Sequence, residues 1–179
     1  MISVGRVVVG TSGSPGSLPA LRYAREVARR LHVPLLAALA WVPPGGDLAE
    51  RRSPSPHLRR IWADAARQRL QDALEAAWGS ALPDLDLTLV VIRGEPGPAL
   101  VETADASDDL LIIGTGRRGA LSRVRHGRVS RYCLGHARCP VLAVPPATAG
   151  QVGLRPARWA IRHRKLTPDS VARDWGAAA

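Results

Sequence analysis

The sequence predicts an α/β protein: a doubly wound parallel sheet with helices on both faces, three layers deep and Rossmann-like. Three observations lead there. Short apolar runs without polar alternation recur along the chain, as expected of strands buried on both faces. Stretches of helical periodicity separate them, which implies right-handed crossovers. Two of the apolar runs end in glycine-rich loops, the usual mark of a ligand edge in such sheets.

Val7-Val8-Val9-Gly10 is the first run, closed by Thr11-Ser12-Gly13-Ser14-Pro15-Gly16. Ser17 is placed to cap the next helix, with Pro19 in its first turn. Leu18, Leu21, Ala24, Val27, Ala28 and Leu31 then recur at helical spacing. Pro34 to Val42 reads as the second strand, ended by Pro43-Pro44-Gly45-Gly46, and the chain to Pro56 reads as loop. A long helical stripe runs from Leu58 to Trp78. Leu85 to Ile92 is the third strand, and Pro96 and Pro98 suit the first turn of a short helix. Leu110 to Ile113 is the fourth strand, closed by Gly114-Thr115-Gly116. An arginine-rich loop follows, then a helix from about Gly127 to His136 and a last strand from Pro140 to Val144. Residues 1–146 thus read as one domain. Pro145-Pro146 opens a linker, and residues 147–179 read as a basic tail, partly disordered or a short helix.

Composition narrows the functional classes. Hydrophobic residues make up 46% of 179, enough for a core. No apolar run reaches the roughly 20 residues that span a bilayer. The N-terminus lacks the pattern of a signal peptide, so a cytoplasmic protein is expected. Cys133 and Cys139 do not form a disulfide framework and are expected as buried, reduced thiols. The five histidines show no metal-ligand spacing, so no metal is expected. Charge is uneven. Residues 1–109 carry twelve Arg against thirteen Asp and Glu, whereas residues 110–179 carry thirteen Lys and Arg against two Asp. That imbalance points to an anionic partner for the C-terminal part.

The segment from Gly114 to Ser130 carries the most chemistry. It follows a strand and opens a helix. Glycines there let backbone N–H groups approach a phosphate, and a helix N-terminus favours the anion. The expected ligand site therefore lies beside Gly10 to Ser14 and Gly114 to Ser130.

At this point the sequence resembles the universal stress protein family. The resemblance spans Arg6 to Pro145. It rests on VVVGTSGSPGS, LLAALAWVPP, IRGEP and DDLLIIGTG with HGRVSRYCLGHARCPVLAVPP, all in register. It implies five strands in the order 3-2-1-4-5, ATP as the candidate ligand with Mg²⁺ only alongside it, and a homodimer through the last strand. ATP-binding members carry Gly, two residues, Gly, nine residues, then Gly-Ser or Gly-Thr. Counted from Gly114, this chain has Arg117 at the second Gly, Gly127 at the third, and Arg128 at the Ser or Thr; Val129 and Ser130 match. Ser12 stands where those members usually have Asp. Arginine at 117 and 128 either pairs with a phosphate or fills the site. The nucleotide-binding set implied is Thr11, Ser12, Trp41, Gly114, Gly116, Arg117, Gly127, Arg128, Val129 and Ser130. Trp41 reads both as a ring to flank adenine and as a core residue.

Other classes fit less well. Ser12, Ser14 and Ser130 lack a His and acid pattern, and Asp108 and Asp109 sit at the far end of their strand. No catalytic residue is expected, and a slow nucleotide hydrolase or phosphotransferase is the enzymatic alternative. Arg117, Arg118, Arg123, Arg125, Arg128 and Arg131 raise nucleic acid as a partner, but no aromatic sheet face accompanies them. The tail, with Trp159 and Ile161 among arginines, suits an acidic surface or a protein partner. The reading is a non-catalytic regulatory or sensor protein.

Overall fold

The computed structural model describes residues 3–79, 85–115 and 122–146, with 122–127 as helix backbone only. The elements run β1 (Arg6–Gly10), α1 (Leu18–Leu31), β2 (Leu35–Trp41), α2 (Gly46–Arg52), α3 (Pro56–Trp78), β3 (Leu87–Arg93), α4 (Pro96–Thr103), β4 (Asp109–Gly114), α5 (Ser122–His136) and β5 (Val141–Val144). All strand pairs are parallel, in the order β3-β2-β1-β4-β5. The expected fold class and strand order are both found.

The period of two along each strand divides the interior into two cores. Val7 and Val9, Leu35, Ala37 and Leu39, and Leu110 and Ile112 face α1 and α3. Val8, Leu36 and Ala38, and Leu111 and Ile113 face the other way, against Leu100 of α4, Ala104 at its end and Cys133 of α5. Both faces of the central strands are therefore dry, which is why those runs are continuously apolar. The two cysteines are free and buried, as expected.

Three local readings need correction. The stretch before Pro56 is not all loop: Gly46–Arg52 forms α2. Seven residues carry too little periodicity to stand out in sequence. Helix α5 begins at Ser122, ahead of Gly127. Ser17 precedes α1 but makes no side-chain cap bond; its hydroxyl turns back into the β1–α1 loop. Helix α3, in contrast, is capped by Ser55, whose Oγ accepts from the Leu58 N–H at 3.3 Å, with Pro56 next in its first turn. In α3 the buried side chains are Ala66, Leu70, Ala73 and Leu74, so its first ten residues bury none.

Candidate functional site at the strand carboxyl edge

The strand order reverses between β1 and β4, where chain connections leave in opposite directions. Gly10 pairs in register with Ile113 there, so the segments after Gly10 and Gly114 leave the sheet side by side. This is the switch point at which doubly wound sheets hold ligands.

The β1–α1 loop is pre-organised. Thr11 is buried and its N–H donates to the Ala38 carbonyl at 2.9 Å. Its Oγ1 donates to Ser17 Oγ at 2.9 Å and accepts from the Gly13 N–H at 3.2 Å. Ser17 Oγ passes the chain on to the Ser14 carbonyl at 2.7 Å. Gly13 has φ +73° and lies against Arg69 of α3, so a side chain there would be both strained and obstructed. With the buried polar groups bonded inward, the Ser12 and Ser14 hydroxyls, 2.9 Å apart, are left at the surface.

Gly114 ends β4. A Cβ there would come 3.3 Å from the Gly16 carbonyl oxygen, so glycine lets the two loops approach. The Thr115 N–H donates to the Val144 carbonyl at 2.9 Å, which ties this loop to β5. Ser130 is buried on α5 and donates to the Gly114 carbonyl at 3.3 Å. Val129 packs into the core on the α4–α5 face, and Arg128 is exposed. Trp41 ends β2, one strand from β1, and packs partly against the core.

The fold thus brings Thr11, Ser12, Gly114 and Ser130 to one edge, with Trp41 on the neighbouring strand. Gly116 and Arg117, and the loop residue Arg118, lie outside the described residues, as do the side chains of Arg123, Arg125 and Gly127's neighbour His126. The earlier start of α5 changes the role expected of Gly127 to Ser130. Their amides lie inside the helix, where N–H groups bond to carbonyls four residues back, and not at its open N-terminus. Asp109 lies at the opposite end of β4, paired to Arg6. Among the described residues no group of three or more His, Cys, Asp or Glu is placed to hold a metal ion. No described helix is long and apolar enough to cross a membrane.

Sequence reading missed α2 and what holds it. Glu50 of α2 is buried and pairs with Arg59 at 2.8 Å and with Arg93 at the tip of β3. Nothing in the sequence links these three residues, which lie on separate elements.

Fold and site together define a three-layer α/β protein whose candidate site lies where the serine-containing loop after β1 meets the end of β4 at Gly114. The universal stress protein family profile matches residues 3–145, and the chain belongs to that family. Universal stress protein Rv1996 of Mycobacterium tuberculosis is 32% identical over 143 residues, covering 76% of this chain and 42% of that protein. Universal stress protein Rv2005c of the same organism is 33% identical over 136 residues, covering 76% and 44%. The chain spans less than half the length of these curated relatives. A crystal structure of a universal stress protein in complex with cAMP superposes with a TM-score of 0.52 at 27% identity, covering 81% of this chain and 99% of that one. A universal stress protein from Archaeoglobus fulgidus in complex with dAMP has a TM-score of 0.52 at 21% identity, covering 80% and 99%, a likeness of fold.

Proposed function

We propose that this chain is a non-catalytic regulatory or sensor protein of the universal stress type, which binds an adenine nucleotide at the β1/β4 edge. The observation that carries this reading is the convergence of the Thr11–Ser14 loop and Gly114 at the switch point, with the buried polar groups bonded inward and the Ser12 and Ser14 hydroxyls at the surface, hydrogen-bonded only to each other among the described residues, where a ligand would meet them. The related complex with cAMP supports an adenine nucleotide over other anions. Ser12 offers a hydroxyl to a ribose where a carboxylate would bring charge. ATP with Mg²⁺ is the larger ligand that the same edge would take; the family motif aligns Arg117 and Arg128 with its phosphate-contacting positions.

The test is thermal unfolding with cAMP, AMP and ATP in turn. A rise in Tm is expected with at least one, because a ligand that binds only the folded state stabilises it. Gly127→Asp, which puts a carboxylate at the position that the family motif aligns with its third glycine, should remove the rise. No shift at millimolar nucleotide would sink this reading. Phosphate release during the same incubations would instead favour the slow hydrolase.

The protein acts, on this reading, as a cytoplasmic homodimer joined through β5, whose partner contacts change with the ligand. Val141 to Val144 is a short apolar edge strand, which proteins normally cover. Light scattering should give a dimer at micromolar concentration, and Ala143→Lys should give a monomer. The basic C-terminal part, residues 110–179, then serves as an accessory surface for an acidic partner. Its affinity for nucleic acid should be weak and fall steeply with salt.

A further inference from the structure

We propose that α2 is a detachable flap at the carboxyl edge, latched by the Glu50 carboxylate, and that it gates the nucleotide site. The gating half of this proposal rests on the nucleotide reading above; the latch does not.

Helix α2 is joined to the domain almost without packing. Of its seven residues, Glu50 is the one that is buried, and Leu48 is 72% exposed. A helix this short has no stability of its own in water. What holds it are ion pairs. Glu50 Oε2 accepts a hydrogen bond from the Arg93 guanidinium, and Glu50 Oε1 lies 2.8 Å from Arg59 Nε of α3, an ion pair without hydrogen-bond geometry. Asp47 adds a second carboxylate to Arg93 at 2.9 Å. One carboxylate, 6% exposed, therefore carries most of the attachment to two arginines that keep about 40% of their surface in water.

Both ends of the segment suit a hinged piece. It is entered through Gly45 and Gly46, with φ of +83° and +78°, a pair of left-handed positions that glycine occupies without strain. It is left through Ser53-Pro54-Ser55-Pro56, where the prolines stop the helix from running on into α3.

Its position connects it to the site. Arg93, the anchor, pairs in register with Trp41, and the Gly94 N–H donates to the Trp41 carbonyl at 2.8 Å. The hinge begins four residues after Trp41, on the same edge as the Thr11–Ser14 loop. Release of Glu50 thus frees the segment that follows Trp41 and leaves the Arg59 and Arg93 guanidiniums without this carboxylate.

The experiment is amide hydrogen exchange of the full chain, comparing the native protein with Glu50→Gln, which keeps shape and removes charge. Arg59→Gln, at the half-exposed end of the same pair, is the second variant. Residues 46–52 should exchange about tenfold faster in Glu50→Gln, since a charged hydrogen bond contributes at least that factor. Strands β1 and β2 should keep their protection, which shows the fold intact. Nucleotide dissociation, measured with cAMP, should quicken in the same variants. Unchanged exchange in 46–52 overturns the latch. Faster exchange with unchanged dissociation overturns the gate. If the native protein binds none of cAMP, AMP or ATP, the nucleotide reading and the gate fall together, and the exchange comparison still decides the latch.

Discussion

Arg6 grips Asp109 with two hydrogen bonds, Nε to Oδ1 at 2.7 Å and an NH2 group to Oδ2 at 2.6 Å, across the starts of two adjacent strands. The Asp109 side chain is 1% exposed, and its Oδ2 also accepts from the Ala106 N–H at 3.2 Å. Arg6 donates further to the Thr103 carbonyl at 3.2 Å. The hydrogen bond to Asp109 is the main reason the Arg6 guanidinium holds its proton more tightly than usual. This pair closes the amino end of the sheet, opposite the Thr11–Ser14 loop.

Removing one partner strands a buried charge. Arg6→Met should therefore lower stability by about 3 kcal/mol, the lower end for a broken buried pair because Arg6 is partly solvated. Asp109→Asn keeps the shape and should lose less. Denaturant unfolding measures both. A loss under 1 kcal/mol for Arg6→Met would show that water replaces the guanidinium.

The Thr11–Ser17–Ser14 relay makes a second prediction. Thr11→Val preserves volume but removes the hydroxyl that accepts from Gly13 and donates to Ser17. It should cost about 1–2 kcal/mol. It should also shrink the nucleotide-induced Tm shift, because the loop that presents Ser12 and Ser14 loses its internal bonds. Stability lost with an unchanged shift would mean that the relay only supports the fold.

Packing between α4 and α5 gives a third. A Cβ on Gly97 would lie 2.9 Å from the Tyr132 ring. That ring is stacked on His136 with centroids 4.1 Å apart, and His136 Nδ1 is hydrogen-bonded to the Tyr132 carbonyl at 2.9 Å, so it has little room to turn. Gly97→Ala gains about 1 kcal/mol of helix propensity but overpacks by about 1–3 kcal/mol. A net fall in Tm of a few degrees is expected; a rise would show that α5 slides freely on α4.

Alkaline pH provides the fourth. Burial pushes the Cys133 thiol up from 9.0 to about 11. Burial pushes the Tyr23 hydroxyl up from 10.0 to about 12, against the opposing charge of Arg30. Both groups are raised in the folded state, so their contribution is complete below the unfolded values and is lost as pH rises. Stability should hold to about pH 9 and fall from there toward pH 12, as the unfolded chain releases its protons first. Native Cys133 should also resist thiol reagents at pH 8 and react once unfolded. Rapid labelling of the native protein would contradict its burial.

Sequence by itself determined the layers. Val7 to Val9, Leu35 to Leu39 and Leu110 to Ile113 are apolar at every position, and only strands covered on both faces use such runs. The loops after Gly10 and Gly114 stood out through their composition as the candidate site, and the family motifs set the strand order. All of these are local patterns, readable within a few residues. The rest depended on distance in space. Arg6 and Asp109 are 103 residues apart, and Glu50 reaches arginines on two other elements. Helix α2 has no apolar stripe to betray it, because charge and not burial holds it. The start of α5 at Ser122 and the inward turn of the Ser17 hydroxyl were likewise decided by tertiary structure: a polar side chain is compatible with several partners, and only the fold determines which one it meets.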